Sequence, residues 1–203
     1  MCGIVGYSCS DPTQEHYDLL RCIITQSKIR GLHSFGLSYC NNGLKTDKYH
    51  DIDNLELPQA NKIIYHNRYA TSGDYLNHNN NQPIVATGVS LVFNGVLDMR
   101  TKQEMEAHYN IKMSTDNDGE ILLQLYGSHI SSIQEYIRNT SGSFAGLLLT
   151  DSNKMYAIRN KNRPLWRLTY DNATFYASTQ DIFKRVDRSF EPQLLTPFEV
   201  YES

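Results

Sequence analysis

The sequence predicts an α+β domain in which two β-sheets stack and helices cover them. Short apolar or alternating segments occur near the N-terminus and again in the last third of the chain, with helical spacing of apolar residues between them. This grouping differs from the regular alternation of strands and helices that builds a parallel sheet. The 203 residues, 40% of them hydrophobic, suffice for one sizeable core, so we expect a single domain over residues 1–203.

The first half of the chain predicts three strands and one helix. The helix follows Pro12, has apolar residues at helical spacing up to Ile29, and ends at Gly31. A polar stretch rich in Asn and Asp, residues 41–61, predicts a loop. The predicted strands are residues 2–7, 34–39 and 62–69.

The second half predicts further strands around two successive helices. Residues 85–96 are strand-like but contain Asn94-Gly95, a dipeptide that by itself indicates a hairpin turn. Four short segments linked by turn residues predict an antiparallel meander over 144–178. The predicted helices are residues 118–126, 131–138 and 180–186, and residues 198–201 predict a last strand.

Composition and spacing argue against several kinds of partner and cofactor. The 19 basic and 22 acidic residues give a net charge of −3 without a basic run, which disfavours nucleic acid as a direct ligand. There is no signal-like leader and no apolar run of about 18 residues, so we expect a cytoplasmic protein without membrane contact. Cysteine and histidine spacing fits no metal site, and no phosphate-binding glycine motif occurs, so no metal and no organic cofactor are expected.

Cys2 is the first candidate for chemistry, because it directly follows the initiator Met1. Removal of Met1 would place a thiol and a free α-amine on the same residue. A thiolate attacks carbonyl groups well, and an α-amine with a pKa of about 8 can accept the thiol proton near neutral pH. A cysteine at position 2 is more often an accident of the start, so the function of Cys2 depends on the residues that accompany it.

Five separated segments together resemble the class II glutamine amidotransferases. These segments are MCGIVGY (1–7), RGLHSFG (30–36), HNRYATSG (66–73), FNG (93–95) and DGE (118–120). Weaker similarities are NNQP (80–83), ASTQ (177–180) and PFEVY (197–201), so the resemblance covers essentially the whole chain. It implies the N-terminal nucleophile hydrolase fold, a four-layer αββα sandwich of two antiparallel sheets flanked by helices.

The resemblance implies hydrolysis of L-glutamine to glutamate and ammonia. Cys2 would be the nucleophile, its α-amine would carry the proton, and a γ-glutamyl thioester would be the intermediate. The side-chain amide of Asn94 and the backbone N–H of Gly95 would bind the oxyanion. The hairpin interpretation of this dipeptide stays open, because a turn can also present its N–H groups.

Glutamine recognition requires groups that complement both charged ends of an amino acid. The resemblance assigns the α-carboxylate to Arg68 and the α-ammonium to Asp118, with Thr71 and Ser72 lining the amino-acid end. On their own, an arginine and an aspartate at such positions are more often a surface ion-pair partner and a helix cap. The remaining expected site residues, Arg30 and Gly31, would order the loop beside the nucleophile.

Two departures from the family pattern affect this interpretation. His33 stands where the family usually has Asp, so a local Arg–Asp interaction is lost or replaced. The sequence also contains no fused synthase or ligase domain to consume ammonia, which implies a separate partner subunit, a lone glutaminase or an excised domain. Two other functions remain open: hydrolysis of another γ-glutamyl or amide substrate, and a non-catalytic role in binding glutamine or in regulation.

Overall fold

Two antiparallel sheets lie face to face with helices on their outer faces, in a computed structural model that describes residues 2–69, 75–86, 88–126 and 130–203. The strands are β1 (Gly3–Cys9), β2 (Ser34–Cys40), β3 (Leu44–Tyr49), β4 (Lys62–Arg68), β5 (Ile84–Ala86), β6 (Val89–Val96), β7 (Ser143–Thr150), β8 (Met155–Arg159), β9 (Trp166–Tyr170), β10 (Ala173–Ala177), β11 (Gln193–Leu194) and β12 (Tyr201–Glu202). The helices are α1 (Gln14–Ser27), α2 (Lys102–Tyr109), α3 (Glu120–Tyr126), α4 (Ile130–Asn139) and α5 (Gln180–Val186).

The strand order defines the two sheets. The larger sheet has seven strands in the order β11-β9-β10-β1-β4-β2-β3, and the smaller has five in the order β12-β8-β7-β6-β5. Helices α1 and α5 pack on the larger sheet, whereas α3 and α4 pack on the smaller one. The predicted αββα sandwich is therefore confirmed.

An apolar layer between the sheets holds them together. Side chains alternate between the two faces of a strand, so Ile4 and Ile64 of the larger sheet point inward toward Val92 and Leu147 of the smaller one. All four are fully buried, and burial of each such side chain stabilises the fold by about 1.5–3 kcal/mol. This layer fixes where the strand ends of the two sheets face each other.

The predicted hairpin turn at Asn94-Gly95 is wrong. Both residues lie within β6 and pair with β7, with Asn94 opposite Ala145 and Gly95 opposite Phe144. A glycine is required here for a different reason, because a Cβ on Gly95 would lie 1.9 Å from the carbonyl oxygen of Ser143. The chain reverses earlier, between β5 and β6, which pair as antiparallel neighbours.

The predicted meander over 144–178 is also wrong in its pairing. Strands β7 and β8 pair in the smaller sheet, whereas β9 and β10 pair in the larger one, so the chain crosses between sheets after β8. Arg159 supports this crossing, since its Nε donates to the carbonyl of Leu195 at 2.7 Å and its Nη1 to that of Arg163 at 3.0 Å.

Two elements lack the apolar pattern that would have predicted them. The predicted loop 41–61 contains β3, an edge strand with no fully buried side chain. No periodicity predicts α2, because Met105 is its one buried residue among those described. Thr101 begins α2 with reciprocal side-chain and backbone hydrogen bonds to Glu104. Within the described ranges, no helix is long and apolar enough to cross a membrane, and no group of three or more potential ligands could hold a metal ion.

Candidate active site

Four of the expected site residues line one cavity of about 590 Å³: Cys2, Arg68, Gly95 and Asp118. They reach it from different elements. Cys2 immediately precedes β1, and Arg68 ends β4; because Gly3 pairs with Asn67, these two residues lie at the same edge of the larger sheet. Gly95 comes from the end of β6 in the smaller sheet, and Asp118 precedes α3. The cavity is thus open at the ends of strands from both sheets.

The backbone at the candidate nucleophile is held by several hydrogen bonds. Arg30 donates from Nε to the carbonyl oxygen of Cys2 at 2.8 Å. Ile4 donates its N–H to the hydroxyl of Ser178 at 2.8 Å, and the N–H of Ser178 donates back to the carbonyl of Ile4 at 3.1 Å. Burial lowers the pKa of Arg30, while the nearby Cys2 raises it. Arg30 therefore brings positive charge beside the half-buried Cys2.

Asn67 fixes the turn that carries Arg30 and Gly31. Its Nδ2 donates to the carbonyls of Ser27 and Gly31, each at 3.0 Å, and its Oδ1 accepts from the hydroxyl of Ser27 at 3.0 Å. The turn lies directly on the backbone of β4, since a Cβ on Gly31 would be 2.4 Å from the carbonyl carbon of Arg68. Glycine is needed at this position because the two backbones approach so closely.

The guanidinium of Arg68 is oriented by a buried amide. Its Nη1 donates to Oδ1 of Asn81 at 2.6 Å, and Nδ2 of Asn81 donates to the carbonyl of Tyr75 at 2.7 Å. Asn81 is fully buried, so its amide has a fixed orientation with both ends in use. An arginine held in this way can present parallel N–H groups to a carboxylate.

Asn94 differs in position from the four expected residues that line the cavity. Its neighbours Phe93 and Gly95 line the cavity wall, whereas Asn94 is 3% exposed and is not part of the lining. Alternation along β6 places Asn94 on the inner face with Val92. Its Nδ2 has no hydrogen-bond partner within the described ranges. A buried donor without a partner costs about 1–3 kcal/mol, so the position requires an explanation beyond packing.

Gln82 supports β6 next to Asn94-Gly95, since its Oε1 accepts from the N–H of Phe93 at 2.6 Å.

Asp118 orders the stretch of chain that follows β6. Its Oδ2 accepts from the backbone N–H groups of Leu97 at 2.5 Å and Asp98 at 3.1 Å. Burial raises the pKa of Asp118, and these two N–H groups act in the opposite direction. The carboxylate thus joins the turn after β6 to the start of α3.

Further charged residues, which the sequence alone did not single out, also line the cavity. Asp98 and Arg100 form a salt bridge at 3.1 Å, and Lys102 lies beside them. His66 also lines the cavity and is fully buried, and burial together with nearby Arg68 and Lys48 lowers its pKa to about 3. One signal could have identified His66: it lies two residues before Arg68 on a strand, and therefore on the same face.

Two expected residues, Thr71 and Ser72, lie outside the described residues, as does Met1.

The cavity carries both signs of charge, with Arg68, Arg100 and Lys102 on the one hand and Asp98 and Asp118 on the other. Such a site complements a zwitterion better than a simple anion or cation. The half-buried Cys2 adds a thiol to the same cavity.

Comparison with known proteins identifies the family. Residues 66–185 match the family described as a glutamine amidotransferase domain. The chain belongs to this family, among the class II enzymes that have the N-terminal nucleophile fold.

The relatives are much longer than this chain. A glutamine–fructose-6-phosphate aminotransferase of Halobacterium salinarum is 24% identical over 196 residues, which cover 90% of this chain and 32% of the relative. An amidophosphoribosyltransferase of Pasteurella multocida is 28% identical over 197 residues, covering 81% of this chain and 38% of the relative. The chain therefore spans about a third of the length of these curated relatives.

Solved structures show the same fold. A structure described as the allosteric regulatory enzyme of purine biosynthesis superposes with a TM-score of 0.79 at 21% identity, covering 99% of this chain and 46% of that one. Glutamine phosphoribosylpyrophosphate amidotransferase of Bacillus subtilis gives a TM-score of 0.74 at 18% identity, covering all of this chain and 49% of that one.

Proposed function

We propose that this chain is a single glutaminase domain that hydrolyses L-glutamine to glutamate and ammonia through a thioester on Cys2. The observation that supports this best is the shared cavity, where Cys2, Arg68, Gly95 and Asp118 converge although they are far apart in the sequence. No one of these residues is diagnostic alone. Their convergence in a member of this family makes a common role in one reaction the simplest explanation.

The proposed reaction has two steps. In the first, the Cys2 thiolate attacks the side-chain carbonyl carbon of glutamine; the C–N bond then breaks, and the leaving nitrogen takes a proton from the Cys2 α-ammonium and departs as ammonia. In the second step, water attacks the thioester, glutamate is released, and the thiol reforms. The tetrahedral intermediates of both steps carry an oxyanion, which the Asn94 amide and the Gly95 N–H would bind. The α-amine of Cys2 is available only after removal of Met1.

The ends of the substrate would be recognised by opposite charges. Arg68, already oriented by Asn81, would bind the α-carboxylate through two parallel hydrogen bonds. Asp118 would accept hydrogen bonds from the α-ammonium, and its burial would strengthen this interaction. Thr71 and Ser72 are proposed to line the same end of the site.

The ammonia is proposed to pass to a synthase or ligase domain on a partner chain or a further segment. One relative is named as an aminotransferase for glutamine and fructose-6-phosphate, and this chain covers 32% of its length. A partner of this kind should raise the glutaminase rate when its acceptor substrate is present.

Glutamate release from L-glutamine by protein with a free Cys2 amine is the primary test. Cys2→Ala should abolish release, whereas Cys22→Ala removes an exposed cysteine outside the cavity and should behave like the wild type. A diazo-ketone analogue of glutamine should add one adduct, on Cys2, by intact-mass measurement. Glutamate release by Cys2→Ala at the wild-type rate would refute the proposal.

Arg68→Lys tests the identity of the substrate. The lysine keeps the charge but cannot form two parallel hydrogen bonds, so the KM for glutamine should rise about 100-fold. A simple amide without an α-carboxylate should be hydrolysed equally by the variant and the wild type. An unchanged KM for glutamine would exclude Arg68 as the ligand of the α-carboxylate.

A further inference from the structure

His33, which stands where the family usually has Asp, lies between two tyrosine rings. Its ring centroid is 5.2 Å from that of Tyr69 and 5.0 Å from that of Tyr75, with interplanar angles of 26° and 24°. Both tyrosines are partly exposed, at 51% and 38%, so the stack lies at the surface rather than in the core. His33 is therefore held by aromatic contacts at the surface.

The stack belongs to a connected set of contacts that also includes Arg68. The backbone N–H of His33 donates to the carbonyl of Arg68 at 3.0 Å. The guanidinium of Arg68 donates to Asn81 at 2.6 Å, and Asn81 donates to the carbonyl of Tyr75 at 2.7 Å. The ring of Tyr75 stacks in turn on the ring of His33. Both the backbone and the side chain of Arg68 are thus tied to the same small group of residues.

An arginine side chain has several rotatable bonds, and a ligand that immobilises it loses affinity in proportion to the freedom removed. A guanidinium that is already fixed by a buried amide avoids much of that loss. The Asn81 amide that bonds to Arg68 is held on its other side by the carbonyl of Tyr75. The ring of Tyr75 in turn contacts the ring of His33.

We propose that His33 and Asn81 are positioning residues, which hold Arg68 in the orientation that binds the α-carboxylate of the substrate. This inference rests on the proposed function, since it assigns a purpose to the order of Arg68. It predicts that loss of either residue weakens glutamine binding without impairing the chemical step at Cys2.

The first experiment compares His33→Ala with His33→Phe. Removal of the ring should raise the KM for glutamine about 10-fold with kcat within about twofold, because each ring contact accounts for a few-fold in affinity. Phe keeps a ring between the two tyrosines and should restore most of the affinity. His108→Ala is the matched control, because the ring centroid of His108 lies 4.7 Å from that of Tyr109 and His108 does not line the candidate site. This variant should leave KM unchanged.

A double-mutant cycle separates positioning from a general structural effect. In an Arg68→Ala background, His33→Ala and Asn81→Ala should cause no further rise in KM, since the group that they position is gone. Additive effects in that background would overturn the proposal. So would a His33→Ala variant with the wild-type KM.

A second readout does not depend on turnover. The rate at which Cys2 reacts with the diazo-ketone amino acid should fall in His33→Ala, whereas its reaction with iodoacetamide, which has no α-carboxylate, should not change. Equal losses with both reagents would indicate damage at Cys2 and overturn the positioning role. Failure of the proposed function has a distinct signature, because wild-type protein with a free Cys2 amine would then release no glutamate at all.

Discussion

His66 should make the folded protein less stable in acid. It is fully buried on β4, and neither ring nitrogen has a hydrogen-bond partner among the residues that the structure describes. Burial, with the positive charges of Arg68 and Lys48 nearby, lowers its pKa from 6.5 to about 3. The folded protein therefore keeps this ring neutral at pH values where the unfolded chain protonates it.

The sign and size of the effect follow from proton linkage. The folded-state pKa is lowered, so the contribution of His66 to stability is fully present above pH 6.5 and is lost as the pH falls toward 3. Within this window the loss is about 1.4 kcal/mol per pH unit for one proton. At pH 4.5 it reaches about 2.7 kcal/mol, a large part of the stability of a domain of this size.

The assay is urea unfolding of the wild type and His66→Phe at pH 7.5, 5.5 and 4.5 and constant ionic strength. Phe has a similar shape to His and does not titrate, and the substitution breaks no hydrogen bond among the described residues. The variant should therefore be at least as stable as the wild type at pH 7.5. Below pH 6, the free energy of unfolding of the variant should increase relative to that of the wild type by about 1.4 kcal/mol for each pH unit of acidification.

Ile64→Val is the matched control for His66→Phe, since Ile64 is fully buried on the same face of β4 and does not titrate. It should lower stability by about 1 kcal/mol equally at all three pH values. If His66→Phe and the wild type lose stability in parallel down to pH 4.5, then His66 is protonated in the folded state and the reasoning fails.

Three further predictions concern the site and its support. Asn94→Ala should lower kcat about 100–1000-fold with a nearly unchanged KM, by removing one oxyanion donor, and a kcat near that of the wild type would exclude this role. Asp118→Asn should raise the KM about 100-fold by weakening the bond to the α-ammonium. In the proposed site, ionised Asp118 binds the α-ammonium, and burial raises the pKa of Asp118. The kcat/KM of the wild type should therefore also fall as the pH drops through that pKa, whereas Asp118→Asn should not show this decrease. Asn67→Ala should destabilise the fold by about 2–3 kcal/mol in urea unfolding, since the buried groups of Ser27 and Gly31 lose their partner, and an unchanged midpoint would contradict the bracing role of Asn67.

The sequence was sufficient to predict the strands that carry part of the site. Cys2 precedes one apolar strand and Arg68 ends another, and local patterns predict both strands. Antiparallel pairing of these strands then places the two residues at one edge of the sheet. Arg30 and Gly31 follow the first helix, and the close approach of that turn to β4 requires the glycine.

Other features depend on contacts that no local pattern encodes. Asn94-Gly95 has the composition of a turn, yet pairing with β7 along its whole length keeps β6 extended. The crossing between sheets after β8 depends on the pairing of β10 with β1, which places β9 and β10 in the larger sheet and is a property of the assembled fold. Asn81 lies in an Asn-rich stretch that is typical of a solvated loop, and its burial arises from its bonds to Arg68 and Tyr75. Tertiary pairing thus overrides local preference at several positions around the site.

The candidate site depends on how the two sheets stack, because neither sheet carries all of its groups. Cys2 and Arg68 belong to the larger sheet, whereas Gly95 belongs to the smaller one and Asp118 precedes a helix packed on it. The distance between Cys2 and Gly95 is therefore set by the apolar layer between the sheets. In this layer Leu147 packs so closely on the larger sheet that a Cβ on Gly6 would lie 2.7 Å from its Cδ1. A close-packed layer cannot shift by small continuous amounts, so it holds the two halves of the site in register. The geometry of the candidate site is consequently a property of core packing as much as of the residues that line the cavity.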